Sequence, residues 1–401
     1  MPRILAINPG STSTKIAVYD DSTPVFAQSI HHTPEELARF DHLPKQFAWR
    51  KGLIEEALAK RGIPLESISA VIGRGGIICP VESGTYEVND DLIRDLVNAP
   101  MQHASNLGGL IARDIAREIG VKAYIADPVV VDEMIPYARL SGIPELPRKS
   151  IFHALNQKAI ARRYAKESGR RYEDLNLIVC HMGGGITVSA HRKGRVIDTT
   201  NALDGCGPFS PERSGSLPPG PLVKLCFSGK YTEDELIKMV HGKGGMMAHL
   251  GITSVPEALD RIDKGDLHAM LVVRAMIYTV CKEIGAMAVA MKGAIDAILL
   301  TGGMAQSKRI TDFMAEHCSF IAPIYVYPGE DELKSLAENA LAVIRGDQQV
   351  KTYVSEPSEN PADINDTSIP SKIRDILQAA NLPKATEAVG AIRKYLSKWK
   401  L

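Results

Sequence analysis

Three glycine-bearing turns, each entered from an apolar strand-like run, constrain this chain more than anything else in it. The first is Ile4-Leu5-Ala6-Ile7-Asn8-Pro9-Gly10-Ser11-Thr12-Ser13-Thr14-Lys15, and the second is Leu177-Ile178-Val179-Cys180-His181-Met182-Gly183-Gly184-Gly185-Ile186-Thr187-Val188. The third is Ile298-Leu299-Leu300-Thr301-Gly302-Gly303-Met304-Ala305. Glycine lets a backbone approach phosphate closely and turn its amides toward it, while Ser and Thr add hydroxyl donors. A single such loop is ordinary architecture, but three in one chain read as a nucleotide clamp, each turn the tip of a hairpin. None has the Gly-Lys-Ser/Thr spacing of a P-loop, and none opens the strand-to-helix unit of a dinucleotide fold.

At 401 residues the chain is long enough for two domains with substantial cores. Its 47 basic and 47 acidic residues cancel, which argues against a nucleic-acid partner. No apolar run reaches membrane-spanning length and residue 3 already enters a strand, so a soluble cytoplasmic protein with no membrane partner is expected. Cys79, Cys180, Cys206, Cys226, Cys281 and Cys318 lack the paired spacing of zinc or redox sites and read as reduced, structural thiols.

Residues 1–150 alternate strand-like runs (3–8, 15–20, 69–74, 122–126) with helical stretches (50–61, 105–119) and form an expected first α/β domain. A second, 151–350, opens on a basic helical segment and repeats the strand, glycine turn, strand pattern at 176–198. Helices follow at about 232–241, 255–264 and 266–292. Similar openings at residues 3 and 176 suggest duplicated halves facing a cleft. Residues 351–401 read as a proline-bearing linker and an amphipathic basic helix carrying Val389, Ile392, Leu396 and Trp399, docked on the chain itself or on another subunit.

Further segments extend the pattern: Gly73-Arg74-Gly75-Gly76, His103-Ala104-Ser105-Asn106-Leu107-Gly108-Gly109, Asp127-Pro128-Val129-Val130-Val131-Asp132 and Ser150-Ile151-Phe152-His153-Ala154-Leu155-Asn156-Gln157-Lys158. Asn201-Ala202-Leu203-Asp204-Gly205, Gly207-Pro208-Phe209-Ser210-Pro211-Glu212-Arg213-Ser214-Gly215 and Pro328-Gly329-Glu330-Asp331-Glu332 follow in order. With these segments, residues 3–350 resemble the butyrate kinases of the acetokinase family, within the acetate and sugar kinase, actin and heat-shock chaperone superfamily. The resemblance implies two duplicated ribonuclease H-like (actin-like ATPase) domains around an interdomain cleft. It implies ATP/ADP and Mg²⁺ as cosubstrate and cofactor, and reversible phosphorylation of a short-chain carboxylate. It also implies a homodimer or higher homo-oligomer.

By the same resemblance, Arg74 and Arg213 hold the carboxylate and phosphoryl groups, with His103 as substrate-side support. Forked guanidinium donors suit that task, because two anions must be brought together and charge on the phosphoryl oxygens stabilised. His153 and His181 match the family's active-site histidines. The carboxylate is itself an adequate nucleophile, so His153 is expected to stabilise direct in-line transfer with no phosphoenzyme. Asn8, Ser11, Ser13 and Lys15 would line the γ-phosphate end, and Gly183, Gly184 and Gly185 the nucleotide phosphates. Gly302 and Gly303 would admit adenosine and ribose. Asp127 and Glu332 match the metal positions, with Glu330 an alternative to Glu332, as oxygen ligands suit Mg²⁺. Ser254-Val255-Pro256-Glu257 stands where relatives carry an acidic, arginine-bearing run, leaving base preference open.

Val81, Pro100 and Phe209 are the candidate acyl pocket. A methylene is worth only about 1–3 kcal/mol of discrimination, so propionate, isobutyrate and valerate stay open beside butyrate. Two other classes compete. A nucleotide-switch binding protein would not need a second anion site beside the γ-phosphate. A sugar kinase would need a carboxylate base, for which Asp127 is available.

Overall fold

The computed structural model describes residues 1–99, 103–201, 203 and 205–355. Pro100, Gln102, Ala202, Asp204 and the predicted C-terminal helix lie outside the described residues. The chain divides into a main unit, Met1–Ala138 with Arg148–Ser355, and a small one, Arg139–Pro147 with 356–401. In the small unit Ser141 Oγ donates to Ile143 O at 2.8 Å, and Leu140, Ile143 and Leu146 are exposed.

The main unit is mixed α/β and carries two sheets. β1 (Arg3–Pro9), β2 (Ser13–Asp20), β3 (Thr23–His31), β4 (Ala70–Arg74), β5 (Thr85–Glu87) and β6 (Lys122–Ala126) belong to the first. β7 (Asn176–Met182), β8 (Ile186–Arg192), β9 (Arg195–Thr199), β10 (Ala297–Gly302) and β11 (Ile324–Pro328) form the second, and β12 (Lys351–Thr352) returns to the first. The orders are β12-β5-β6-β4-β1-β2-β3 and β11-β10-β7-β8-β9. Each sheet thus holds three antiparallel strands running outward from a central strand (β1-β2-β3; β7-β8-β9) and two parallel strands on its other side (β4, β6; β10, β11). The shared order and strand sense are the duplication that the two similar openings suggested.

β1 and β7 are buried on both faces, as their unbroken apolar runs require. Helices Phe47–Lys60 and Asn106–Glu118 cover one face of the first sheet, giving a core of Leu5, Ile7, Val18, Ile54, Leu58 and Ile111 among others. Helix Glu332–Arg345 covers the other, placing Leu336, Ala337 and Ala340 on Ile4, Ala6, Ala17 and Ile72. Helix Leu267–Ala290 packs on β8 in the second sheet's core. The unit runs past residue 350, since β12 pairs with β5 and Tyr353 is buried.

Two of the three glycine turns are hairpin tips, between β1 and β2 and between β7 and β8. The third is not: β10 passes into a 3-10 turn, Gly303–Gln306, and then helix Lys308–Cys318. The stretch after Gly303 reads Met304-Ala305-Gln306-Ser307-Lys308-Arg309, and Ile310, Met314 and Cys318 form the buried stripe of the helix. Gly302 turns there at φ 90°, and a Cβ on it would lie 2.4 Å from Met182 O. Among the described residues no helix is long and apolar enough to cross a membrane.

Candidate functional site

The first glycine turn is held from behind. Gly10 N donates to Ser13 O at 2.7 Å, and the guanidinium of Arg50, fully buried on helix Phe47–Lys60, donates to Gly10 O (2.8 Å), Thr14 Oγ1 (3.0 Å), Ser13 O (3.3 Å) and Ser11 O (3.4 Å). Burial pushes Arg50 down to about 10, which leaves it charged at neutral pH. Sequence reading passed over Arg50. The signal for it was weak but present: Arg50, Ile54, Ala57 and Leu58 form the buried stripe of that helix, so an arginine stands where an apolar residue belongs.

The second turn is closed by Gly183 N donating to Gly185 O at 3.0 Å, while Ser210 Oγ donates to Gly184 O at 2.6 Å. Arg213 lies across the turn, so that a Cβ on Gly185 would sit 2.3 Å from its Nη1. Glycine also sets Arg74 in place at the end of β4. A Cβ on Gly73 would meet Gly108 O at 2.1 Å, and one on Gly108 would meet Arg74 O at 2.3 Å. The strand end therefore touches the start of helix Asn106–Glu118, whose Asn106 Oδ1 accepts from Ile77 N at 2.9 Å.

These elements enclose a polar cleft of about 360 Å³, within the range of small-molecule sites, lined by Asn8, Gly10, Ser11, Thr12, Ser13, Lys15, Arg74, His153, His181, Gly183, Gly184, Glu330 and Glu332. Arg74 Nη1 donates to Glu332 Oε2 at 2.8 Å and to Asn8 Oδ1 at 3.4 Å, and Asn8 Nδ2 donates to the same Glu332 oxygen at 2.5 Å. His153 and His181 stack with ring centroids 3.8 Å apart. His181 bonds Asn156 Oδ1 through Nδ1 at 2.9 Å, and its Nε2 lies 3.5 Å from Glu330 Oε2.

The electrostatics favour neutral histidines. Burial, reinforced by Arg74 and Arg213 against the pull of Glu332, lowers His181 to about 4. His153 is pushed well below its usual range by burial, then by His181, Arg213 and Arg74. His103 falls to about 4 through burial and the same two arginines, which places it in their field, with Nδ1 bonded to Ser105 Oγ at 2.7 Å. Arg213 is lowered by burial, and its Nη2 is 3.8 Å from Glu212 Oε1. Burial and the neighbouring Glu332 raise Glu330.

Of the residues singled out from sequence, the structure brings Asn8, Ser11, Ser13, Lys15, Arg74, His153, His181, Gly183, Gly184, Glu330 and Glu332 to the cleft wall. Gly185 lies under Arg213. Gly302, joined to Gly329 by two backbone hydrogen bonds, and Gly303 continue from β10 beside His181 of β7. Ser254 caps the Val255–Asp263 helix by accepting from Glu257 N, and Val255 shares a core with Met304 and Ala305.

Asp127 departs from expectation. It directly follows β6, but its side chain is buried and does not line the cleft: Oδ1 accepts from Ser83 Oγ (2.6 Å) and Gly84 N (2.9 Å), and Oδ2 accepts from both Arg162 Nη atoms (3.1 Å). An acid with both oxygens so engaged suits a structural ion pair, neither the metal ligand nor the base considered above. Val81 and Phe209, expected in an acyl pocket, do not line the cleft: Val81 packs in the first sheet's core and Phe209 against the second's. Among the described residues no group of three or more metal-binding side chains gathers. The donors fit a cation held by few protein ligands, since Glu330 and Glu332 offer hard carboxylate oxygens beside the phosphate-sized glycine turns.

Comparison with known proteins agrees with this geometry. A family model described as the acetokinase family matches residues 138–359. The chain is similar to butyrate kinase 2 of Clostridium acetobutylicum, 53% identical over 88% of this chain and 99% of that protein. It is also similar to butyrate kinase 1 of the same organism, 52% identical over 88% and 100%. Among solved structures it resembles Porphyromonas gingivalis acetate kinase, with a TM-score of 0.71 at 18% identity, covering 86% of this chain and all (100%) of that one. A propionate kinase from Francisella tularensis gives 0.67 at 18%, covering 84% and 99%. At such low identity these two likenesses establish the actin-like ATPase fold.

Proposed function

The chain belongs to the acetokinase family, and from that membership we propose that it is a short-chain fatty-acid kinase, transferring a phosphoryl group reversibly between ATP and butyrate. The observation that carries the reading is one cleft in which Arg74, His153 and His181 meet two glycine turns and Arg213 crosses one of them, in a chain about half identical to proteins named butyrate kinase.

In this reading Arg74 and Arg213 hold the substrate carboxylate and the phosphoryl group, which offsets the repulsion of two anions and stabilises charge on the equatorial oxygens. His103 lies in the arginines' field and supports the substrate side. His153 donates to a phosphoryl oxygen, and the carboxylate attacks in line with no phosphoenzyme. Asn8, Ser11, Ser13 and Lys15 serve the γ-phosphate. His181, Gly183, Gly184 and Gly185 serve the remaining phosphates, and Gly302 and Gly303 serve adenosine and ribose. Mg²⁺, when bound, neutralises phosphate charge, and Glu332, backed by Glu330, supplies its protein contact. Self-association as a homodimer or larger oligomer and a cytoplasmic location belong to the same proposal. An exposed apolar row of Leu267, Leu271 and Tyr278 on helix Leu267–Ala290 supports self-association.

Trapping acyl phosphate with hydroxylamine tests the reading. ATP-dependent hydroxamate from acetate, propionate, butyrate, isobutyrate and valerate is expected to be strongest with the four-carbon acids and to collapse in Arg74→Ala and Arg213→Ala. Acetate as best substrate overturns the butyrate assignment. No hydroxamate from any acid, with ATP still bound, points instead to a nucleotide-switch protein.

A further inference from the structure

Behind His153 runs a buried polar chain in which each hydrogen bond fixes the sense of the next. Gln157 Nε2 is 3.2 Å from the backbone carbonyl of Thr187, an acceptor only, so the amide of Gln157 must face Thr187 with its NH₂. The same nitrogen donates to Thr187 Oγ1 at 2.9 Å. Gln157 Oε1 therefore faces His191 Nε2 at 3.0 Å, and that nitrogen must carry a proton. His191 is fully buried, and burial together with Lys158 and Arg162 keeps it neutral, so its Nδ1 is bare and Tyr172 Oη donates to it at 2.7 Å. At the other end, Thr187 Oγ1 accepts from Gln157 and has a single hydrogen to give. Its remaining partner is His153 Nδ1 at 2.8 Å. Thr187, Gln157, His191 and Tyr172 are all buried, so water does not compete for these bonds.

We propose that Thr187, Gln157, His191 and Tyr172 are positioning residues that lock His153 as its Nε2–H tautomer, so that the ring meets the cleft only as a hydrogen-bond donor. The logic is that of a buried network which, fully satisfied, specifies one arrangement. A histidine free to exchange tautomers would present a lone pair to the phosphoryl oxygen part of the time, and lone pair against anion is repulsive. The role given to this tautomer rests on reading the cleft as a phosphoryl-transfer site.

The tautomer is read directly, without turnover, by ¹⁵N–¹H correlation on the full chain labelled at histidine nitrogen, with His153→Gln assigning the signal. A protonated Nε2 and bare Nδ1 at neutral pH are expected; protonation of Nδ1 overturns the proposal whatever the enzyme's activity. Thr187→Val keeps the side-chain shape and removes the hydroxyl. It is expected to release the tautomer and lower kcat about 10²-fold, the scale for losing one donor to transition-state charge, with KM nearly unchanged. Thr187→Ser is expected to restore both. A Thr187→Val enzyme with wild-type kcat, or a loss that serine does not rescue, overturns the positioning role. Tyr172→Phe removes one oxygen at the far end and is expected to give a smaller kcat loss in the same direction; no change in His153's spectrum or in kcat there removes Tyr172 and His191 from the set. Should the tautomer be as stated and no carboxylate be phosphorylated, the functional reading fails while the network stands.

Discussion

Arg213 occupies the space that any side chain on Gly185 would need, with its Nη1 2.3 Å from where a Cβ would be built. The obstacle is the far end of a flexible side chain, so Gly185→Ala is expected to displace the guanidinium and leave the fold intact. Hydroxamate kinetics should show a loss in kcat/KM of at least about tenfold, with a melting temperature close to wild type. Gly73→Ala makes the contrast: there the Cβ meets backbone, Gly108 O at 2.1 Å, and about 1–3 kcal/mol or more of stability should be lost in denaturant unfolding.

Arg50 ties four groups of the first glycine turn together without touching substrate. Replacing it by Met takes the guanidinium donor from the part-buried Gly10 carbonyl, at about 1–3 kcal/mol, and loosens the loop, while Ser13 O keeps the Gly10 amide. The expected result is a raised KM for ATP and a lower melting temperature. A variant with unchanged KM for ATP would show that the turn holds its shape unaided.

His32 provides a pH signature. It is buried, with Nε2 bonded to Thr14 Oγ1 at 2.9 Å, and burial and then the charge of Arg50 lower it to about 4 from an ordinary 6.5. Between those values the unfolded chain binds a proton that the folded chain refuses, so stability rises with pH through this window. Its contribution is complete above about pH 6.5 and is lost as the pH falls toward 4, by up to about 3 kcal/mol. Urea unfolding from pH 7 to pH 4.5 should show this slope, and His32→Gln should reduce it by one proton's share while His103, His153, His181 and His191, also held below their ordinary range by burial, keep the rest.

Glu332 and Glu330 differ in a way that metal titration can read. Glu332 Oε2 sits between Arg74 Nη1 and Asn8 Nδ2 at the cleft wall, whereas Glu330 Oε2 lies 3.5 Å from His181 Nε2. Glu332→Gln is expected to raise the Mg²⁺ concentration for half-maximal activity by about tenfold or more, and Glu330→Gln by less. The reverse order would assign the metal to Glu330.

Much of the site was legible because its parts sit in unbroken motifs at strand ends, where the strand fixes position and glycine fixes approach. Gly73, Gly185 and Gly302 are glycines because backbone or a guanidinium lies within 2.4 Å of their missing Cβ, a requirement visible in sequence as glycine beside apolar runs. What sequence could not show was partnership across distance. Arg50 reaches a turn about 40 residues earlier in the chain, and Asp127 is claimed by Arg162 on another helix, so a strand-end acid that looks like a ligand is spent in an ion pair. The third turn is no hairpin tip, and the sequence carries the signal: the stretch after Gly303 is polar, and Ile310, Met314 and Cys318 recur at helical spacing.

Helix Glu332–Arg345 lies on the first sheet, yet it follows directly from β11 of the second, with only Gly329, Glu330 and Asp331 between them. Gly329 turns there at φ 81°, and the short link carries Glu330 and leads straight into Glu332. A rotation of one sheet against the other must bend this crank as well as the connection from β6 to β7, so the carboxylates that face the cleft ride on one of its two pivots. Seating charge at Glu332 and setting the angle between the two halves are then one mechanical coordinate, felt together or not at all.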